Sequence, residues 1–519
     1  MKNQKIIIFI SVVVSLFLLC YSNSYPKAVR ENLVKAKGNK SELLNAIHHF
    51  KTKGDSLQLD ALYYLIGNME DHLYSEVGFF DSTETEIEFN VLDYDNYDSI
   101  IVKLNQIEDE FGELHYGRLK LDLDLETITS ELLIENIEFA FKSWEESTWS
   151  KNITYNDFKE NILPYRGSNE PIEHWRKELQ TKYTGISSEL KDSNDLIEVA
   201  KFINQDIKSW FKFDPRFYLH PTDQGYSEMC KTGLGRCEDM TNLAIYAMRA
   251  NGIPVTSDYT PHWADTGNNH AWNAILTPDG EAIPFMGCES DPTTYKLRTK
   301  MAKAYRKTYS KQYDNLAFKL KEWEKAPGWL SGKYYTDVTK QYTSVSDVRL
   351  EFSEIPDSVR FAYLCVFNSG DWKAIHWSEI VDNSVLFSDM GVDIAYLPMF
   401  YIDEELIQAD NPFILQNNGA LTELTLDKNS IHDISLVSTT QKTIAQATEG
   451  KIITFLKEEK EYEFFYWNDE WISLGSKIAS KQPMLFENVP IGCLYWLVEK
   501  DSRKEERIFT IENGKQIWW

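Results

Sequence analysis

One stretch constrains the fold more than any other: "GRCEDMTNLAIYAMRANGIP", from Gly235 to Pro254. Met240, Leu243, Ala244, Ala247 and Met248 recur at i, i+3, i+4, i+7 and i+8, which is one face of an amphipathic helix. Asn251 and Gly252 supply the exit from that helix, and Pro254 forbids its continuation. "GIPVTSDYT" then reads as a strand, and "HAWNAIL" as a second, in which His270, Trp272 and Ala274 share one face and Ala271, Asn273 and Ile275 the other. Helix followed by antiparallel strands predicts an α+β core, with Cys237 in the first turn of the helix.

That position carries chemistry. The first backbone N–H groups of a helix have no partner and its macrodipole is positive there, so a thiolate is favoured and the cysteine pKa falls. Glu238 and Asp239 suit a helix start but oppose the thiolate by their charge. His270 is the candidate base, since a Cys–His pair in contact exchanges a proton to give thiolate and imidazolium, the starting point of acyl transfer. The Cys237 backbone N–H is a natural oxyanion donor.

"G-R-C-E-D" opening a helix, "R-A-N-G-I-P" closing it and "N-H-A-W-N" on a strand together resemble the transglutaminase-like superfamily. The resemblance covers about Leu196 to Pro292. It implies a papain-like Cys-His-acid core that attacks an amide carbonyl, as transglutaminases, cysteine proteases and peptide N-glycanases do. The flanking segments are similar to those of large exported proteins of Bacteroidetes-type bacteria. The family places an aspartate at the end of the next strand, where this chain has Met286. Glu289 or Asp291, in the following turn, is left to orient His270, and Glu289 is the favoured candidate. Trp272, Asn269 and Trp263 are the candidate substrate contacts, with Asn268 and His262 nearby. No metal or organic cofactor is implied. Both hydrolysis and transamidation pass through the same acyl-enzyme; the resemblance to bacterial members that look mostly like proteases or amidases puts hydrolysis of a peptide, protein or glycopeptide amide first and transamidation second.

The same residues allow other arrangements. Cys230, Cys237, His262 and His270 are zinc-ligand types but lack ligand spacing. A Cys230–Cys237 or Cys237–Cys288 disulfide would silence the nucleophile. A catalytically inactive scaffold, binding glycan or peptide through β modules that contain Trp372, Trp377, Trp467 and Trp471, is the rival from a different class.

With 519 residues the chain exceeds a single core. From Tyr25 to Tyr183 the apolar period is helical, with stripes Leu62, Leu65, Ile66, Met69 and Leu133, Ile137, Phe141, Trp144. Pro164, Gly167 and Pro171 interrupt it before a new helix that carries Trp175 and Arg176, both read as structural. Beyond Gly332 the sequence turns to short β-branched runs such as "FAYLCVF" and "IAYLPMFY". The expected organisation is a signal at 1–24, a helical region at 25–185, the transglutaminase-like core at 186–330, a β-sandwich module at 331–418 and a second β-rich module at 419–519, a multidomain α+β protein.

Lys2 and Lys5 precede an uncharged run, Ile6 to Leu19, too short for a comfortable span, so the start reads as an export signal cleaved after Ser24. A lipid on Cys20 is the alternative, although Leu19 before it is not small. The expected location is therefore the periplasm or cell surface, with membrane contact only through that terminus. Eighty acidic against 54 basic residues give a net charge of -26, which repels nucleic acid. The five remaining cysteines, Cys230, Cys237, Cys288, Cys365 and Cys493, show no disulfide framework.

Overall fold

The computed structural model describes residues 25–192, 194–441, 454–502 and 505–519. The expected export signal at 1–24, with Cys20, lies outside these residues. No helix among the described residues is long and apolar enough to cross a membrane. The chain forms a multidomain α+β structure that divides into two compact units. One comprises the chain up to Ser257 with Trp272–Lys296 and Thr308–Lys311, and the other Asp258–Ala271, Leu297–Lys307 and Gln312–Trp519.

The first unit begins with helices. Lys27–Lys35, Lys40–Lys53, Ser56–Asn68 and Ser130–Glu146 share one core in which Leu43, Phe50, Leu65, Leu133 and Ile137 have essentially no exposed surface. The expected stripes are thus the buried ones, because residues three and four apart on a helix stack on one side. Asp55 caps the third helix by accepting from the Leu57 and Gln58 amides, and Thr129 caps the fourth by accepting from Leu132.

The helical period missed a three-stranded antiparallel sheet, Glu86–Ile87 beside Leu73–Phe80 beside His115–Leu123. The strand His115–Leu123 is exposed over most of its length, so it offers little apolar alternation for a sequence reading to detect. Cross-strand pairing from Leu73↔Leu123 to Phe80↔His115 defines it instead.

The segment broken by prolines is held by buried arginines. Arg176 donates to Asn136 Oδ1 at 2.8 Å and to the carbonyls of Ile162, Leu163, Pro164 and Arg249. Arg166 pairs with buried Asp124, and Trp175 stacks on Tyr246 at 4.7 Å. These links tie the proline segment to the helix Cys237–Ala250, which confirms the structural reading of Trp175 and Arg176.

The second unit carries two β assemblies. In the first, the antiparallel sheet ordered Asp371–Glu379, Phe361–Asn368, Ile394–Ile402, Phe413–Leu415, Leu421–Glu423, with Glu405–Gln408 on Ile394–Ile402, shares a core with the strand pair Val345–Glu351 and Ser384–Gly391. In the second, a five-stranded sheet built on Glu461–Asn468 and Tyr495–Glu499 shares a core with the pair Asp427–Leu436 and Met484–Ile491. A further core, containing Phe361, Phe367, Trp372, Leu397, Trp467, Leu494 and Trp496, is common to both assemblies. The turn at Asn418 closes a hairpin: Gln416 N–H donates to Ala420 O, and Gly419 takes φ +82°.

Candidate active site

Cys237 is the first residue of the helix Cys237–Ala250. The start of that helix is fixed by Asp239, whose carboxylate accepts from the amides of Arg236 at 2.9 Å and Gln224 at 3.0 Å. Burial, together with the charge of Asp223, raises the Asp239 carboxyl to about 6. The Arg236 guanidinium holds Asp223 at 2.6 Å and reaches toward Glu238, 3.8 Å away. Asn251 and Gly252 close the helix as expected, in a Schellman arrangement: Ile253 N–H donates to Met248 O and Gly252 N–H to Arg249 O. Gly252 has φ +73°, and a Cβ there would lie 2.6 Å from Ser143 O.

The environment of the thiol departs from the sequence reading. Cys237 is 8% exposed, and its S–H donates to Glu238 Oε2 at 3.0 Å. Burial pushes the thiol pKa up, the Glu238 carboxylate pushes it further, and Arg236 opposes weakly. A helix start lowers a cysteine pKa only while the sulfur stays near solvent or a cation. Here burial and the adjacent carboxylate outweigh it, and the resting group is a thiol.

Two tyrosines unremarked in the sequence flank it. Tyr218 is 52% exposed, and partial burial of its hydroxyl, with Cys237 and Glu238 nearby, raises it to about 12. Burial raises the Tyr295 hydroxyl, with Glu289 and Cys237 adding to the effect. No local motif marks either residue: Tyr218 lies in the short 3-10 helix Pro215–Leu219, and Tyr295 follows the turn after the hairpin.

His270 opens the strand His270–Leu276, whose hairpin with Ala282–Phe285 runs from Asn273↔Phe285 to Leu276↔Ala282. The division between the two units passes through the His270–Leu276 strand, leaving Cys237 in the first and His270 in the second. Within the first unit, buried Asn273, three residues along the strand from His270, donates to Thr241 O at 3.1 Å and accepts from Gly287 N at 3.1 Å. One side chain thus joins the Cys237 helix, the hairpin and the turn that follows it. Within the second unit, His270 stacks on Trp263 at 5.9 Å and 26°.

The loop before His270 is built rather than loose. Asn368 Nδ2 donates to the carbonyls of Trp263, Thr266 and Asn268, and Arg507 donates to Ala264 O. Trp263 is 7% exposed and Trp272 has no exposed surface, whereas Asn268 and Asn269 are open to solvent. His262 is half-buried, and burial with the Lys373 charge lowers it to about 4.

After the hairpin, Met286 and Ser290 exchange amide–carbonyl bonds in a tight turn. The Asp291 carboxylate accepts from Asn204 and Gln205, which pins the turn to the helix Leu196–Trp210. Glu289 is exposed, and its carbonyl accepts from Lys208. Cys230, Cys237, Cys288, Cys365 and Cys493 are all free thiols. Among the described residues, no group of three or more His, Cys, Asp or Glu is placed to hold a metal ion.

Residues 184–285 match the family model of the transglutaminase-like superfamily, so the chain carries a transglutaminase-like core of papain-like, cysteine-type fold. The matched span includes Cys237 and His270 and stops before the Met286 turn. Among solved structures, the chain is similar to a crystal structure of red sea bream transglutaminase at 8% identity, over 86% of this chain and 78% of that one, with a TM-score of 0.22. No match is found among curated proteins.

Proposed function

We propose that the core is a cysteine enzyme that cleaves an amide bond in a peptide or glycopeptide, with Cys237 as nucleophile and His270 as base. The observation that carries this reading is Cys237 itself, the first residue of a buried helix inside the transglutaminase-like span, beside an exposed tyrosine hydroxyl that can contact substrate. His270 takes the thiol proton as sulfur attacks the carbonyl carbon, then returns it to the leaving amine. A thioester remains, and water resolves it to acid and free thiol. Transamidation differs only in the final acceptor. Trp263 orients the imidazole by stacking, and Glu289 is the acid proposed to complete the triad.

Export through the 1–24 signal belongs to the same proposal, placing the enzyme in the periplasm or at the cell surface, with Cys20 as the site of any lipid. The test is release of amine or ammonia from a peptide-amide panel by wild type, Cys237→Ala and His270→Ala. Loss of at least a thousandfold in both variants supports the reading. Equal turnover in Cys237→Ala overturns it, and no turnover by wild type across the panel favours the inactive scaffold, for which the resting, carboxylate-bonded thiol is the supporting observation.

A further inference from the structure

The second unit contains a cleft of about 1100 Å³ that the chemistry of Cys237 does not use. It is larger than the roughly 300–1,000 Å³ typical of small-molecule pockets, so its dimensions suit a polymer segment. Its walls come from both β assemblies and from the Pro327–Trp329 loop. Trp372, Trp467 and Trp471 form one aromatic wall, ring to ring at 5.7 and 4.9 Å in edge-to-face contact.

The polar lining is one-sided. Asp371, Glu404, Glu405, Asp410, Asp469 and Glu470 line the cleft, against Lys373 as its single lysine or arginine. Asp371 pairs with Lys373, and Glu404 with Lys325 outside the lining. Among the described residues, no lysine or arginine pairs with Glu405, Asp410, Asp469 or Glu470. His262 adds no charge at neutral pH, since burial and Lys373 hold it neutral. Asp469 is positioned by Gln408, whose other amide atom accepts from Trp467 Nε1 at 3.1 Å, so the aromatic wall and the acidic rim are coupled.

Trp372 is 4% exposed, and among the described residues neither its indole N–H nor that of Trp471 has an acceptor. Buried donors without partners are uncommon in a folded protein, and both belong to walls of the same cleft.

We propose that this cleft binds an extended basic peptide segment, its lysine or arginine side chains set between the tryptophan wall and the unpaired carboxylates. Indole faces attract guanidinium and ammonium groups, and a carboxylate rim without internal cations raises their local concentration. Peptide carbonyls supply acceptors that the indole N–H groups lack. A neutral oligosaccharide would leave four carboxylates uncompensated, so charge complementarity favours the peptide. The site is independent of whether Cys237 is catalytic.

The experiment is calorimetric titration of the full chain, in its Cys237→Ala form so that turnover cannot intervene, with hexaarginine, hexaglutamate and an N-acetylglucosamine hexamer. Hexaarginine is expected to bind one per chain and to weaken at least tenfold when both Glu405 and Glu470, exposed on the rim, become glutamine. Removing the same two charges elsewhere, in Glu145→Gln with Glu146→Gln, is expected to change affinity less than twofold, which separates the cleft from the general acidity of the surface. No hexaarginine binding, equal weakening in both double variants, or saccharide binding that the rim variant abolishes would each overturn the proposal. Failure here leaves the amide-cleavage assay untouched.

Discussion

Glu238→Gln tests the account of the thiol directly. Glu238 Oε2 accepts the Cys237 S–H at 3.0 Å. Two unit charges 3 Å apart repel by about 1.4 kcal/mol in a fully aqueous dielectric and by about 5.5 kcal/mol at an effective dielectric of 20. The Glu238 side chain is 29% exposed, which places the pair between those limits. About 1.5 to 4 kcal/mol corresponds to a fall of roughly one to three pKa units when the charge is removed. Burial, the larger cause of the raised value, is unchanged, so the thiol stays less acidic than its helix-start position alone would make it. The assay is site-resolved alkylation by iodoacetamide between pH 6 and 10.5, with mass spectrometry distinguishing Cys237 from the other cysteines of the chain. Alkylation of Cys237 at pH 8 is expected to accelerate at least tenfold in the variant. An unchanged rate, or a slower one, would refute the claim that this carboxylate holds the thiol protonated.

Three further outcomes follow from the first unit. His72 stacks on Tyr309 at 4.5 Å with Nε2 3.0 Å from the Tyr309 carbonyl, and burial, assisted by the Arg166 charge, lowers it from 6.5 to about 4. Because the folded value is depressed, its contribution is present above pH 6.5 and is lost as pH falls through 4. By linkage it amounts to at most about 3 kcal/mol, so in urea unfolding His72→Phe should lose less stability than wild type between pH 6.5 and 4. Arg176→Met leaves the Ile162, Leu163, Pro164 and Arg249 carbonyls without their shared donor and should destabilise by about 3 kcal/mol or more, read from the urea midpoint. Gly252→Ala, with its Cβ against Ser143 O, should cost more than 2 kcal/mol, whereas Gly280→Ala, at φ +89° with open space around it, should cost only about 1 kcal/mol. Equal midpoints for the two alanine variants would rule out the steric part of that argument.

The sequence disclosed whatever a local period or punctuation controls. The Cys237 helix, its Gly252 exit and the buried stripes around Leu65 and Leu133 could all be read, because amphipathic spacing and a left-handed glycine are properties of neighbouring residues. The strand His115–Leu123 could not, since an exposed strand shows no apolar alternation and is defined by a partner some 40 residues away. The same distinction governs the site. Cys237 and His270 stood out by motif, whereas Tyr218, Asn273, Asn368 and Arg507 acquire their roles only through long-range hydrogen bonds and contacts.

The thiol shows most clearly why motif and chemistry are separate questions. A cysteine at a helix start predicts a lowered pKa on dipole grounds, a term of about 1 kcal/mol in exposed settings. Burial and one carboxylate at 3.0 Å exceed that term, so the same position that marks the proposed nucleophile holds it protonated. If Cys237 reacts, a proton must leave against this balance. The charged groups that act on it within the first unit are Glu238, which holds the proton, and Arg236, which opposes it. Substrate that displaces the Glu238 carboxylate would remove the opposing charge at the moment of attack, coupling thiol activation to occupancy of the site. That coupling gives a directional expectation: Glu238→Gln should raise alkylation of the free protein while changing the amide-cleavage rate at saturating substrate far less, because bound substrate has already displaced the carboxylate. A parallel rise in both would mean the carboxylate stays beside the sulfur throughout turnover.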